Sequence, residues 1–330
     1  MRLLKLVPDN TNIRFLKLRM PFLVVSILLI LASWALVLTK GINFGVDFVG
    51  GQEVHLTFTD MEQAPVADLR TTVGELGFGT PVVQEFGDPN VVSIRVRLPE
   101  GAEKEAATEI GNTVIAEINK NYDNVRADKN DTVSGKVAEE FQDSAIIALL
   151  AAMLAVALYI WIRFEWQFGA GALFALFHDV SLTLGFFSLF QLEFGLQIIA
   201  AILTIIGYSL NDTIVVYDRI RENLKKYRKM QLVELLDLSI NETLARTVMT
   251  SLTLLVALIP LLSFGPASLF GLVAAITFGL FVGTYSSVYL ASPILIWLGV
   301  TSDSFVPQET EADRQERKAR EEAEGSMGQL

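Results

Sequence analysis

Six blocks of about twenty largely apolar residues leave this chain few alternatives, because a helix of that length and composition spans the hydrocarbon core of a bilayer. The blocks run Met20–Leu38, Ser144–Ile162, Phe168–Phe190, Leu196–Tyr217, Thr247–Phe264 and Leu269–Leu298. One long polar block, 39–143, separates the first from the second. Only 19% of the 330 residues are charged, against about 25% in an average soluble domain, and those charges gather outside the apolar blocks. The fold class expected is a polytopic α-helical membrane protein of six transmembrane helices. A small α+β domain sits between helices one and two.

Several chemistries are disfavoured by composition. A net charge of −11 argues against nucleic acid as a partner. The absence of cysteine removes disulfides, thiolate catalysis and zinc–sulfur sites. With only two histidines, His55 and His178, an imidazole-rich metal site is not expected. No phosphate-binding loop or nucleophile–base constellation stands out, so neither an enzyme nor a cofactor is expected.

Lys and Arg set the orientation of such a chain. Arg2, Lys5, Arg14, Lys17 and Arg19 precede the first apolar block, which is longer than a secretory h-region and lacks an A-x-A cleavage pattern. It reads as a retained anchor with a cytoplasmic N-terminus. Alternation then places Arg163 and the loop 218–246 inside, and that loop carries Arg219, Arg221, Lys225, Lys226, Arg228, Lys229 and Arg246. The expected organisation is a cytoplasmic N-terminus (1–19), transmembrane helix 1 (20–38), a periplasmic domain (39–143), and helices 2 to 6 with the cytoplasmic loop (144–298). A charged, disordered cytoplasmic tail (299–330) follows. Both ends of this multi-pass chain would lie in the cytoplasm.

Within the polar block, Gln52–Phe58 reads as a strand, Pro65–Gly77 as a helix, and Pro81–Phe86 with Val91–Leu98 as a hairpin across Gly87-Asp88-Pro89-Asn90. Ala102–Lys120 is a helix in which Ala106, Ile110, Val114 and Ile118 recur every four residues, and Asp123–Lys129 is a last, weaker strand. The order β-α-β-β-α-β is that of a ferredoxin-like sandwich. His55 lies in a strand and reads as a plain structural or surface residue.

Ionisable groups inside apolar spans mark functional pathways, because lipid gives them no partner. His178 and Asp179 fall in the third span. Neighbouring side chains on a helix diverge by about 100°, which predicts that these two form no simple pair and that each finds its own partner elsewhere. Either a protonatable relay or a hydrogen-bonded core element accounts for them. In the fourth span Thr204, Tyr208, Asn211, Asp212 and Arg219 share one stripe. Asp212 is the best candidate proton carrier, whereas Asp218, beside Arg219 and Arg221, reads as an interfacial group. In the fifth span Glu242, Arg246, Thr250, Thr253 and Ala257 share a face, with Thr247 and Ser251 beside it. Arg246 is either an interfacial anchor or the switching partner of Asp212, paired when the Asp is ionised and released when it is protonated. Gly271, Ala275, Gly279, Gly283, Ser287 and Ala291 recur every four residues in the last span and predict close helix contact.

Several of these stretches together resemble the SecF family. Gly45-Val46-Asp47-Phe48-Val49-Gly50-Gly51 is similar to the family's G-V-D-F-x-G-G lead into its periplasmic domain. Phe177-His178-Asp179 and Asn241-Glu242-Thr243-Leu244-Ala245-Arg246-Thr247 are family-like as well. The stretch from Ile205 to Asn223, with Gly207-Tyr208-Ser209-Leu210-Asn211-Asp212-Thr213 at its centre, is the most specific match. The resemblance covers roughly Phe15 to Gly299 and implies a membrane part like that of resistance–nodulation–division exporters. It also implies a bacterial inner-membrane location, SecD as partner, the SecYEG channel with YajC and YidC as neighbours, and unfolded exported polypeptides as clients. It makes Asp212 and Arg246 the membrane-embedded functional charges through which protons drive late-stage export. Gly45, Asp47, Phe48, Gly50 and Gly51 would position the periplasmic domain. Half of a proton-driven small-molecule or lipid exporter, or a non-transporting assembly scaffold, are the alternatives.

Overall fold

The computed structural model of the protein describes residues 7–8, 11–79, 81–96 and 104–300. The ends of an expected strand (97–98) and helix (102–103), and the tail beyond Val300, lie outside those residues. After a 3-10 turn, Phe15–Leu18, the first long helix α1 spans Arg19–Thr39. A one-turn helix α2 (Val46–Val49) leads into β1 (Gly51–Phe58), α3 (Val66–Glu75), β2 (Val82–Phe86), β3 (Asp88–Val96), α4 (Lys104–Asn121) and β4 (Val125–Val133). The chain returns through α5 (Gly135–Arg163), α6 (Trp166–Phe190), α7 (Leu196–Lys226), α8 (Leu232–Phe264) and α9 (Ala267–Ser286). A π-helical turn, Ser287–Ala291, joins α9 to the short α10 (Ser292–Trp297). Among the described residues, six helices are long and apolar enough to cross a membrane, as the hydropathy pattern predicts.

The small domain has the expected ferredoxin-like order. Its sheet runs β2-β3-β1-β4 with every neighbouring pair antiparallel. Strand residues alternate between faces, so Val54, Leu56, Phe58, Val92, Ile94 and Val96 point to one side and pack on Leu69 and Val73 of α3 and Ile110, Val114 and Ile118 of α4. The other face is polar yet covered: Glu53, His55, Ser93 and Arg95 are all buried. The hairpin needs only Gly87, whose φ of +78° is accessible to glycine, so β3 already begins at Asp88, within the expected turn. The one-turn α2 has no counterpart in the sequence reading.

In the helical part α6 and α7 are the central elements, while α1, α5 and α8 leave most of their apolar surface outward. The small-residue stripe of the last span lies against α7: a Cβ on Gly279 would fall 2.4 Å from Ile205 Cγ1, and one on Gly283 3.0 Å from Ser209 Cβ. Removing those side chains lets the two backbones approach.

The segment 218–246, expected as a loop, is almost wholly helical. α7 continues to Lys226, α8 starts at Leu232, and only 227–231 connects them. Hydropathy locates where a helix leaves lipid, not where it stops. Beyond that depth the 3.6-residue period persists: Val216, Ile220 and Leu224 are buried on α7 and Leu235, Leu236 and Ile240 on α8. Glycine and proline are absent from both stretches, so neither helix meets a breaker there.

Candidate functional site

Two carboxylates are buried where α6, α7, α8 and α9 converge. Asp212 on α7 is 4% exposed; its Oδ1 accepts from Thr247 Oγ1 of α8 at 2.7 Å and its Oδ2 from Ser287 Oγ of the π turn at 3.0 Å. Among the described residues no cation pairs with it. Both donors are neutral hydroxyls, each with one proton to give.

Asp179 on α6 is fully buried and accepts from three groups: Ser209 Oγ of α7, Ser286 Oγ of α9 at 2.9 Å, and His178 Nδ1 at 2.9 Å. The last contact corrects the expectation that His178 and Asp179 cannot pair. The 100° divergence applies to the Cα–Cβ directions; Nδ1 lies next to the ring carbon that joins Cβ, so a turn of the ring brings it back to the neighbouring carboxylate. The other ring nitrogen, Nε2, is buried without a hydrogen-bond partner among the described residues, and the ring lies beside Tyr285 at 5.9 Å between centroids. A hydroxyl relay, Tyr208 to Ser251 at 2.8 Å and Ser251 to Thr284 at 3.0 Å, ties the same three helices α7, α8 and α9.

The structure does not bring Arg246 to Asp212. Arg246 is exposed on the outer face of α8, and Thr247, the next residue, is the one turned inward. Sequence reasoning grouped the stripe through Glu242, Arg246, Thr250 and Thr253, but the neighbouring stripe, Ser239, Thr243, Thr247 and Ser251, enters the bundle. Thr250 and Thr253 are exposed and donate to carbonyls of their own helix, as does Thr204 on α7; Asn211 is exposed too. Asp218 forms an exposed ion pair with Arg163 at 3.0 Å, in keeping with an interfacial place. The hydroxyl partners Ser209, Ser286 and Ser287 were not singled out as ligands, although Ser209 stands in the Tyr208–Asp212 stretch and Ser287 in the small-residue stripe.

The Gly45–Gly51 segment joins the small domain to the helices. Gly50 takes φ +67° with its α-carbon against the start of α5, where a Cβ would fall 3.0 Å from Gly135 Cα. Gly51, at φ +154°, opens β1 beside the Val96 carbonyl, 2.7 Å from where a Cβ would stand. Phe48 packs in the helical core with Phe194, and Asp47 reaches the N-terminus of α7.

In the domain, burial alone would raise the Glu53 carboxyl. Hydrogen bonds from His55 at 2.9 Å and Lys129 at 2.6 Å, with the Lys129 charge, outweigh it and hold the group at about 2. His55, expected to be either structural or at the surface, is buried and locked there with its ring against Phe86.

Comparisons with known proteins agree with this architecture. The SecD/SecF GG motif family matches residues 35–59, and the family described as protein export membrane protein SecD/SecF, C-terminal, matches residues 113–301. Protein translocase subunit SecF of Cereibacter sphaeroides is 43% identical over 304 residues, covering 90% of this chain and 93% of the relative. The SecF of Rickettsia felis is 40% identical over 294 residues, covering 88% and 94%. The crystal structure of SecDF, a translocon-associated membrane protein from Thermus thermophilus, superposes with a TM-score of 0.79 at 34% identity over 88% of this chain. A SecDF in a super-membrane-facing form gives 0.65 at 32% identity over 96% of this chain. This chain spans about two-fifths of those longer SecDF chains, 39% and 40%. A match at more than 40% identity across nine-tenths of both chains shows that the chain belongs to the SecF family of protein translocase subunits.

Proposed function

We propose that this chain, joined to a SecD-type partner beside a SecYEG-type channel, couples proton movement through the membrane to late-stage export of polypeptides. The observation that carries the reading is Asp212: a carboxylate 4% exposed inside the helix bundle, held by two neutral hydroxyls and by no cation. Ionised, it accepts both hydroxyl protons. Protonated, it becomes a donor, and at least one of Thr247 and Ser287 must turn to another acceptor. That rearrangement touches α8 and the π turn together, so one proton alters how three helices fit.

Two further observations support the reading. Basic residues gather at one end of the bundle: Arg14, Lys17 and Arg19 before and at the start of α1, Arg163 at the end of α5, and Arg219 to Lys229 around the α7–α8 turn. By the positive-inside rule that end is cytoplasmic, with both termini, and the α+β domain is on the exported side. On the flank of α7 and α8, Asn211 and Arg246 are exposed and unsuited to lipid, while Thr204, Thr250 and Thr253 beside them are satisfied by their own helices; this polar flank fits the helices of a partner. Arg246 then meets the partner's side of the pathway.

The test uses vesicles carrying the chain and its partner under an imposed proton gradient. Asp212→Asn should leave the pair copurifying while export stimulation falls to the level without the pair. Asp218→Asn, outside the bundle, should retain it. Full stimulation with Asp212→Asn defeats the reading.

A further inference from the structure

The contact between the small domain and the helix that carries Asp212 is direct and built from several parts. Asp47 Oδ2 accepts from the backbone N–H of Leu196, the first residue of α7, at 2.9 Å. Side chains near the start of α7 supply no cap of their own: Gly195 stands at its N-cap, so a residue 149 positions away satisfies that amide. Gly195 also makes the room, since a Cβ there would fall 2.9 Å from Asp47 Oδ2.

The backbones on either side are paired as well. Phe44 and Phe194 form a parallel bridge, with Gly45 N donating to Phe194 O at 3.0 Å and Phe194 N to Asn43 O at 2.8 Å. From the sheet, Arg95 of β3 donates to Phe44 O and Asn43 Oδ1, each at 3.0 Å, which fastens the domain to the same segment. α7 then runs unbroken from Leu196 to Lys226, and Asp212 lies sixteen residues along it, about 24 Å at 1.5 Å per residue.

We propose that Asp47 is a positioning residue: its carboxylate clamps the lead-in segment of the α+β domain to the N-terminus of α7, so that this helix and the domain move as one body. The inference deepens the proton-coupling reading by naming the joint through which a displacement at Asp212 reaches the domain. The bond is short-range and local, whereas other tethers lead to other helices: the 40–42 segment to α1 and, through Ser188 donating to Gly41 O, to α6, and Gly50 and Ser134 to α5.

The experiment uses the full chain assembled with its partner. In this cysteine-free sequence, cysteines introduced for Asp68 on the domain and Ala200 on α7 carry the only spin labels on the chain. Asp47→Ala should broaden the distance distribution between them and speed exchange of the first-turn amides of α7 about 5-fold, the order expected for a lost capping acceptor. Asp47→Asn keeps an acceptor oxygen in place and should stay near the parent in both readouts. Gly195→Ala leaves Asp47 intact but crowds the cap, so it should reproduce Asp47→Ala. In the parent, Asp212→Asn should leave this distance unchanged, because helix and domain move together, whereas in Asp47→Ala the same change should shift it. Distances and exchange unchanged in both Asp47→Ala and Gly195→Ala overturn the joint. Loss of no export activity in Asp212→Asn would instead sink the proton reading and leave the joint, read from exchange, standing.

Discussion

Ser286 and Ser287 are consecutive in the chain, yet their hydroxyls hold different carboxylates: Ser286 donates to Asp179 at 2.9 Å and Ser287 to Asp212 at 3.0 Å. They stand where α9 becomes the π turn, and each hydroxyl has a second acceptor three residues back on its own helix, Gly283 O and Thr284 O. A hydroxyl carries one proton, so each serine chooses between carboxylate and backbone. π turns are common at functional sites because they place an extra residue in a helix without ending it.

This arrangement predicts that Ser287→Ala removes one of two donors to Asp212 and changes the pH dependence of export while leaving the fold intact. A lost hydrogen bond to a charged group costs about 2 kcal/mol, so the midpoint of the pH–activity profile should move by about 1.5 units. Ser287→Thr, which keeps the hydroxyl, should restore the parent midpoint. Stimulated export measured against pH checks both variants, and an unmoved midpoint in Ser287→Ala refutes the assignment.

Asp179 invites a different expectation. Its carboxylate satisfies Ser209, Ser286 and His178 in a fully buried place. Asp179→Ala strands those donors, and a buried donor without an acceptor costs about 1–3 kcal/mol. The variant should therefore lose thermal stability in detergent, with a clear drop in unfolding temperature, before any question of transport arises. Asp179→Asn should lose less, because one oxygen still accepts.

Much of this was legible in the sequence, and the failures have physical reasons. Six apolar blocks and a βαββαβ pattern carry strong periodic signals, so the six helices and the sheet order could be read directly. Asp179 and Asp212 stood out because charges are rare in such blocks. Helix ends did not: Ile220, Leu224, Leu235 and Ile240 continue an amphipathic pattern among charges that hydropathy counts as loop. Arg246 drew attention as a charge, but one residue along a helix is about 100°, enough to turn Thr247 inward in its place. Serine and threonine occur so commonly in membrane helices that Ser286 carried no distinguishing mark, and Ser287 only that of a small packing residue. The Asp47 to Leu196 contact spans 149 residues and left no local signal at all.

The Glu53 cluster makes the α+β domain sensitive to acid. Its carboxyl is held at about 2, below its ordinary 4.5, against burial and by His55 and Lys129; Ser93, Arg95, Asp131 and Glu193 complete the surroundings. A group depressed in the folded state contributes stability that is present above its unfolded value and is lost as pH falls through the folded one. Stability of β1 should therefore decline between about pH 4.5 and 2, read as faster amide exchange along that strand. Glu53→Gln should flatten this decline and cost about 1.5 kcal/mol near neutral pH, since Lys129 loses a charged partner but keeps solvent and Asp131.

Close contact of α9 with α7 predicts a steric result with a built-in control. A Cβ on Gly279 would fall 2.4 Å from Ile205 Cγ1, inside any tolerable separation. Gly279→Val should therefore force α9 away from α7 and destabilise the bundle by about 1–3 kcal/mol. Ile205→Ala alone opens a cavity and should cost about 2–4 kcal/mol. The two changes touch the same space, so the double variant should be more stable than the sum of the single losses predicts, by about 1 kcal/mol or more. Thermal unfolding of the four proteins in one detergent measures the coupling.

Arg246 separates a role within this chain from a role toward its partner. It is exposed, and among the described residues its side chain forms no ion pair, while the carboxylate it was expected to meet is held by Thr247 and Ser287. Arg246→Ala should then leave the stability of the chain on its own, read from thermal unfolding, within about 0.5 kcal/mol of the parent, as for a surface substitution. If the polar flank of α7 and α8 faces the partner's helices, the same change leaves a partner group without its counterpart at membrane depth, where Arg is hard to replace. Copurification with the partner should weaken about 10-fold, equivalent to about 1.4 kcal/mol. Arg246→Lys keeps the charge but loses the planar fork, so it should recover only part of that affinity. Equal copurification for Arg246→Ala and the parent, with stability also equal, would place the residue in the headgroup region as a simple anchor, and the polar flank would then need another occupant.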